Sequence, residues 1–177
     1  WVSSVVSTDG VEPARRGWLP LVAALAAVDA LRAAARVPAE VTWPDGLTVP
    51  GAMCGGDAGT RALGTVAVER SGGRDVLTVG ILVSLGMLEL PRGTTSVYAD
   101  GGDIDRAAIL GAYLPALAER VRQWRTGDPA LALGYRDRCQ TLGRLVEIDG
   151  AQGRVRGVDD SGALVVDVDG TTRTVPS

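Results

Sequence analysis

The chain has 177 residues, 46% hydrophobic and 22% charged, with a formal net charge of −3, the balance of a packed chain and not of a disordered one. It contains no His, Lys, Asn or Phe, so all 18 basic residues are Arg. These absences exclude a Ser-His-Asp triad, a Cys-His pair, His-ligated zinc, a lysine Schiff base and a Walker A loop, and the mildly acidic balance argues against general nucleic-acid binding.

The only cysteines, Cys54 and Cys139, cannot build an all-cysteine zinc site and read as reduced thiols of a cytoplasmic protein. No run of about 18 uninterrupted apolar residues occurs, so no membrane span is expected. The longest apolar stretch, Trp18 to Leu31, is broken by Pro20 and Asp29. The chain starts at Trp1, without an initiating Met or a signal peptide, as a fragment would.

Glu12 to Ala35 reads as a core-packing helix, with Pro13 in its first turn and Trp18, Leu21, Val22, Leu25, Val28 and Leu31 near helical spacing. Val41 to Trp43 is a short strand, and Pro44-Asp45-Gly46 a turn. Pro50 to Gly64 is Gly-rich and reads as a loop. Thr65–Glu69 alternates, Ser71-Gly72-Gly73 turns, and Asp75–Leu85 is a long buried strand, so a hairpin is expected beside the helix. Asp103 to Gln123 is a second helix capped by Asp103, with Ile109, Leu110, Tyr113, Leu114, Leu117 and Val121 on its buried face. Asp128 caps a shorter helix to about Cys139, with Leu131, Tyr135 and Cys139 inward. After Gly143 come four short strands, Leu145–Ile148, Arg154–Val158, Leu164–Val168 and Thr171–Val175. Asp149-Gly150 and Asp169-Gly170 are turns between them, so a small meander or barrel is expected, leaning on the rest of the chain.

Several segments, in order and at matching spacing, resemble the biotin–protein ligases. Thr42-Trp43-Pro44-Asp45-Gly46 is similar to that family's Lys-Trp-Pro-Asn-Asp motif. Gly55-Gly56 falls at the Ala-Gly of its Lys-x-Ala-Gly-Ile-Leu segment. Val79-Gly80-Ile81-Leu82-Val83-Ser84-Leu85 resembles its Gly-x-Gly-x-Asn-Val strand, and Glu89-Leu90-Pro91 with Thr94-Thr95-Ser96-Val97 the loop after it. Tyr135–Cys139 with Thr141-Leu142-Gly143 resembles the junction with its C-terminal domain. Lipoate ligases share the fold, but the Trp-Pro pair favours the biotin branch. The resemblance implies an α+β fold: a mixed β-sheet with helices packed on one face over residues 1–140, and a small SH3-like β-barrel over residues 141–177.

It also implies a two-step activity. Biotin is activated with Mg-ATP to biotinyl-5′-AMP and passed to a lysine of a biotin carboxyl carrier domain. Biotin and ATP are then substrates, Mg2+ the metal, and the carrier domain of a carboxylase the partner; the resemblance allows a homodimer. The implied binding residues are Trp1, Trp43, Pro44, Asp45, Gly55, Gly56, Gly80 and Ser84, with Asp45 as the metal ligand. Structural readings stand beside these: Trp43 as a core tryptophan, Gly55-Gly56 as a plain loop, Gly80 as a bulge, and Asp45 as a turn residue bonding its own backbone.

The chain departs from the family where charge matters. Met53 stands at the catalytic Lys position, Thr42 replaces the Lys before Trp43, Asp45-Gly46 replaces Asn-Asp, Leu82 the second strand Gly, and Ser84 its Asn. The Trp-x-Ser segment that follows the family's Arg-Gly-rich loop matches Trp1-Val2-Ser3, so that loop would fall before residue 1. Arg61 is the nearby cation that could replace the missing Lys. The alternative is therefore a non-catalytic relative that binds biotin or its adenylate, or a protein-interaction module.

Overall fold

The computed structural model describes residues 1–51, 59–71 and 74–177. At its centre is α1 (Trp18–Ala30), entered through a 3-10 turn at Pro13–Gly17 and left through a π turn at Leu31–Ala35. The helix lies where the sequence pattern puts it, but it is not buried on one face alone. Every residue of α1 except Pro20 and Asp29 is buried. A helix apolar around its whole circumference has to be enclosed on all sides. By length and composition the segment Pro13–Ala35 is apolar enough to cross a membrane, and 72% of its most apolar stretch is buried inside the protein.

One side of the enclosure is a five-stranded sheet built from β1 (Val2–Ser7), β2 (Glu40–Thr42), β3 (Gly46–Val49), β4 (Arg61–Ser71) and β5 (Arg74–Ile81), in the order β1-β5-β4-β3-β2. All four strand pairs are antiparallel, and parallel character enters through two isolated bridges, Val41 to Cys139 and Ala62 to Thr94. The other side is α2 (Arg106–Thr126) and α3 (Pro129–Arg138), which pack on α1, so the helices all lie on one side of the sheet. Ala23, Ala24, Ala26, Ala27 and Ala30 are all buried, and their small side chains let these neighbours come close. Asp29 accepts from Arg120 Nε at 3.0 Å and Nη2 at 2.7 Å, which ties α1 to α2.

The structure corrects several boundaries. The Pro50–Gly64 loop gives way at Arg61 to β4; residues 52–58 lie outside the description. The strand β3 was not legible, because only three residues, Leu47 to Val49, separate the turn from Pro50. The strand expected to reach Leu85 stops at Ile81. Beyond it one bond to β4 remains, Leu82 N–H to Leu63 O, and the apolar run otherwise pairs with a loop: Leu82 O and Val83 O accept from the N–H groups of Val97 and Tyr98. Asp105, not Asp103, caps α2, accepting from the N–H groups of Ala107 and Ala108 at 2.9 and 3.1 Å. Leu110 and Leu114 are exposed, because α1 meets a narrower stripe of α2 than the periodicity suggests.

The C-terminal sheet consists of β6 (Leu145–Ile148), β7 (Ala151–Val158), β8 (Leu164–Val168) and β9 (Thr171–Val175). The Asp149-Gly150 and Asp169-Gly170 pairs both have positive φ at both residues, as a two-residue hairpin turn requires. The expected barrel is not closed: the described strands run as an open meander, β6-β7-β8-β9. Four short strands have one apolar face, Val155, Leu164, Val166 and Val168, and that face is met by Trp43 and Leu142 of the preceding chain instead of by a returning strand.

The turn between β7 and β8 anchors the meander. The Trp18 indole N–H donates to Asp159 O at 3.0 Å, and the Trp43 indole N–H to Gly162 O at 3.1 Å. Asp159 shapes the turn by accepting from Ser161 N–H at 2.8 Å and Ala163 N–H at 3.0 Å. Burial opposes its charge, but the hydrogen bonds from Ser161, Ala163 and Gly162 outweigh that and hold its carboxyl below the usual range. Gly17 and Gly162 meet main chain to main chain. A Cβ at Gly17 would lie 2.2 Å from Ser161 O, and one at Gly162, where φ is +90°, would lie 2.6 Å from Gly17 C. Gly162→Ala is expected to lower the unfolding free energy by about 2–3 kcal/mol, from overpacking plus left-handed strain. Urea denaturation checks this, and a loss within the ±0.5 kcal/mol typical of surface substitutions would show that the seam is not tight.

Candidate functional site

Side chains alternate across a sheet, so β5 sends Leu77 and Val79 inward to α1 and leaves Thr78 and Gly80 on the outer face. Gly80 is the centre of a row that crosses the sheet. Gly46 on β3 pairs with Thr65 on β4, Thr65 pairs with Gly80 on β5, and the ring of Trp1 lies over Gly80. A Cβ on Gly80 would fall 2.1 Å from the Trp1 ring, so the glycine is required for the ring to seat. Trp1 is itself 87% exposed. With strands about 4.8 Å apart, the Gly46 end of the row lies about 10 Å from Gly80.

The Trp43-Pro44-Asp45 turn joins this row at Gly46. Its Trp43–Pro44 bond is cis. Trp43 takes the core reading: its backbone N–H donates to Thr141 Oγ1 at 3.0 Å, its indole reaches Gly162, and the ring packs on the meander. Pro44 is half-buried. Asp45 uses its backbone, not its carboxylate, to hold the turn: Asp45 O accepts from Val66 N–H at 2.8 Å, and the carboxylate is exposed and makes no ion pair among the described residues. Among the described residues no group of three or more His, Cys, Asp or Glu could hold a metal. Met53, Gly55 and Gly56 lie outside the described residues.

Ser84, just past β5, accepts from Arg106 Nη2 at 3.0 Å. Arg61 is not a free cation. Its guanidinium bonds the Asp100 carboxylate and donates to Thr95 Oγ1 at 3.4 Å, while Thr95 Oγ1 donates to the other Asp100 oxygen at 2.7 Å. The pair fixes the loop after β5 to the first residue of β4. Sequence reasoning missed Thr65, Asp100 and Arg106. The register across β4 and β5 identifies Thr65, but nothing local to Asp100 or Arg106 announces a partner tens of residues away.

At the same sheet edge, β1, β5 and α2 leave an apolar groove of about 440 Å³, lined by Trp1, Val2, Val79, Ile81, Arg106, Ile109 and Tyr113 among others. The Tyr113 hydroxyl is buried without a hydrogen-bond partner among the described residues. Burial pushes its pKa up to about 12.

The chain matches no protein-family model. It is 34% identical over 168 residues to the biotin–[acetyl-CoA-carboxylase] ligase of Mycobacterium tuberculosis, covering 90% of this chain and 60% of that protein. It is 26% identical over 183 residues to the bifunctional ligase/repressor BirA of Bacillus spizizenii, covering 94% of this chain and 53% of that protein. The chain thus spans little more than half the length of these curated relatives. Among solved structures, the apo biotin protein ligase of Aquifex aeolicus superposes with a TM-score of 0.82 at 20% identity, over 99% of this chain and 78% of that one. The same protein in complex with biotin and ATP gives 0.78 at 20% identity, over 99% and 74%. These superpositions show the fold.

The Tyr113 shift has a defined sign. A phenol whose folded pKa is raised above its unfolded value near 10 contributes stability that is complete below that value and is lost as the pH rises towards about 12. Melting temperatures from pH 9 to 12 should fall less steeply for Tyr113→Phe than for the parent chain. Equal slopes would show that Tyr113 ionises as an ordinary exposed phenol does.

Proposed function

We propose that this chain belongs to the biotin–protein ligase family and carries the sheet face on which such a ligase activates biotin with ATP and passes it to a lysine of a biotin carboxyl carrier domain. The observation that carries this reading is the row Gly46–Thr65–Gly80 with the Trp1 ring lying on Gly80. It is a strip with a glycine on either side of Thr65, walled by an exposed indole over Gly80, suited to a flat apolar ring system with polar edges. Residues 1–140 form the catalytic-type part in this reading, and the meander over residues 141–177 is its SH3-like C-terminal part. The cytoplasm, where Cys139 stays a free thiol, is its compartment.

In the first step a biotin carboxylate oxygen bonds to the α-phosphorus of ATP and the bond to pyrophosphate breaks. In the second, a carrier lysine amine attacks the acyl carbon and AMP leaves. The first step sets an anion against an anion, so oriented donors and cations must offset the charge. Asp45 is a single carboxylate, which suits Mg2+ arriving on the phosphates of ATP and not a metal caged by protein. Ser84 Oγ, oriented by Arg106, offers a hydroxyl at the end of β5.

One observation favours the binding-without-turnover reading for this polypeptide. Met53 stands where the family has its Lys, and Arg61, the nearby candidate replacement, is neutralised by Asp100. Losing such groups from a phosphoryl-transfer site costs several kcal/mol of transition-state stabilisation, on the order of a thousandfold or more in rate.

Two outcomes follow. Biotin should change the emission of Trp1, the most exposed of the four tryptophans, and Trp1→Phe should remove the change while Gly80→Val, which unseats the ring, should weaken binding at least tenfold. A fluorescence titration checks this; an unresponsive parent chain would sink the site assignment. Pyrophosphate release with biotin and Mg-ATP should stay near background, and Met53→Lys alone should not restore it, because groups that act as a unit are not additive. Robust release by the parent chain would remove the binding-only reading and leave the enzyme.

A further inference from the structure

The ligase reading leaves the groove between β1, β5 and α2 without a role. Val79 and Ile81, which line it, belong to the α1 side of the sheet, opposite the face that carries Gly80. Its volume of about 440 Å³ is that of a small-molecule site, which encloses an apolar body and fixes it with a few polar groups. Two such groups stand in the lining. Arg106 is the single charged residue there. It is exposed, and among the described residues its guanidinium bonds only Ser84 Oγ and meets no carboxylate. Tyr113 is 3% exposed, and its buried hydroxyl finds no acceptor among the described residues. A buried donor without an acceptor is costly, and a ligand that brings the acceptor relieves that cost. Arg106, Ile109, Leu110 and Tyr113 follow one another at helical spacing along one wall. The rise of an α-helix sets Arg106 and Tyr113 about 10 Å apart along the axis.

We propose that this groove binds a medium-chain aliphatic carboxylate. The carboxylate pairs with Arg106, the methylene chain lies along Ile109, Leu110, Val79 and Ile81, and an acceptor towards the far end receives the Tyr113 hydroxyl. The inference is independent of the ligase reading, because the acid is a ligand of the α1 side and not a substrate of the Gly46–Thr65–Gly80 row. The charge of the lining selects the class: no carboxylate stands in it to repel an acid, and a cationic amphiphile would meet Arg106 as a like charge.

The probes are octanoate, hexanoate, 7-oxooctanoate and octyltrimethylammonium, titrated calorimetrically into the whole 177-residue chain below their micellar concentrations. Octanoate should bind about tenfold tighter than hexanoate, which buries two fewer methylenes, and at least tenfold tighter than octyltrimethylammonium. The ketone of 7-oxooctanoate should add a severalfold gain that Tyr113→Phe removes. Leu110→Glu sets a carboxylate one turn from Arg106 and should weaken octanoate at least tenfold, whereas Leu110→Met should keep it. Leu110 is 41% exposed, so both variants should hold the parent melting temperature. Saturating biotin should leave octanoate affinity unchanged. The proposal is overturned by absence of binding, by equal binding of the acid and the ammonium, by a ketone gain that survives Tyr113→Phe, or by displacement of octanoate with biotin. A chain that sediments as a dimer and is split by Leu110→Glu overturns it too, because the groove would then be a face between copies.

Discussion

The whole architecture answers to one constraint: α1 is apolar on every side and cannot touch water at an acceptable cost. Enclosing it takes the inner face of the five-stranded sheet and a face each of α2 and α3. The outer face of the sheet is consequently left over, with no helix above it among the described residues. A bare, glycine-interrupted sheet face on a rigid support is where a small flat ligand can reach main chain, so the candidate site follows from the burial of a helix that lies behind it.

The same economy of elements appears where the two sheets meet. Trp18 and Trp43 each bury an apolar ring and send one N–H to a carbonyl of the β7–β8 turn. A tryptophan buried against a joint needs such an acceptor, and the turn needs its carbonyls satisfied, so each removes the other's penalty. The Trp43 ring therefore belongs structurally to the joint, the core reading that stood beside its implied binding role, while Asp45, two positions on, is exposed at the edge of the row.

Much of this was legible in the sequence, and the failures have physical causes. The helix at Trp18, the capped helix at Asp128 and all four C-terminal strands follow from local periodicity and Asp-Gly turns. Local signals failed where an element's partner is remote. The apolar run after Ile81 looks like more strand, but after one bond from Leu82 to Leu63 of β4 its carbonyls accept from Val97 and Tyr98, so it turns away from the sheet. Asp103 and Asp105 are equally good caps by composition, and only the backbone path decides between them. The barrel was expected from strand count, yet closure depends on strand length and on what covers the apolar face, here Trp43 and Leu142. In the candidate site, Gly80 and Trp1 were both singled out by resemblance, but their contact with each other could not be read from residues 79 positions apart. Arg61 was read as a possible catalytic cation because sequence shows the charge and not the counter-charge at Asp100.

The seam between Gly17 and Gly162 is made of main chain on both sides. Such a contact has no side-chain vocabulary: it does not distinguish one meander from another as long as each surface keeps a glycine. The C-terminal sheet is thereby an exchangeable part. A meander grafted from another chain would dock if it brought a tight turn with a glycine and two open carbonyls for Trp18 and Trp43, whatever its outward-facing residues were. Those residues are then free to vary, while the fit to the body of the protein stays constant.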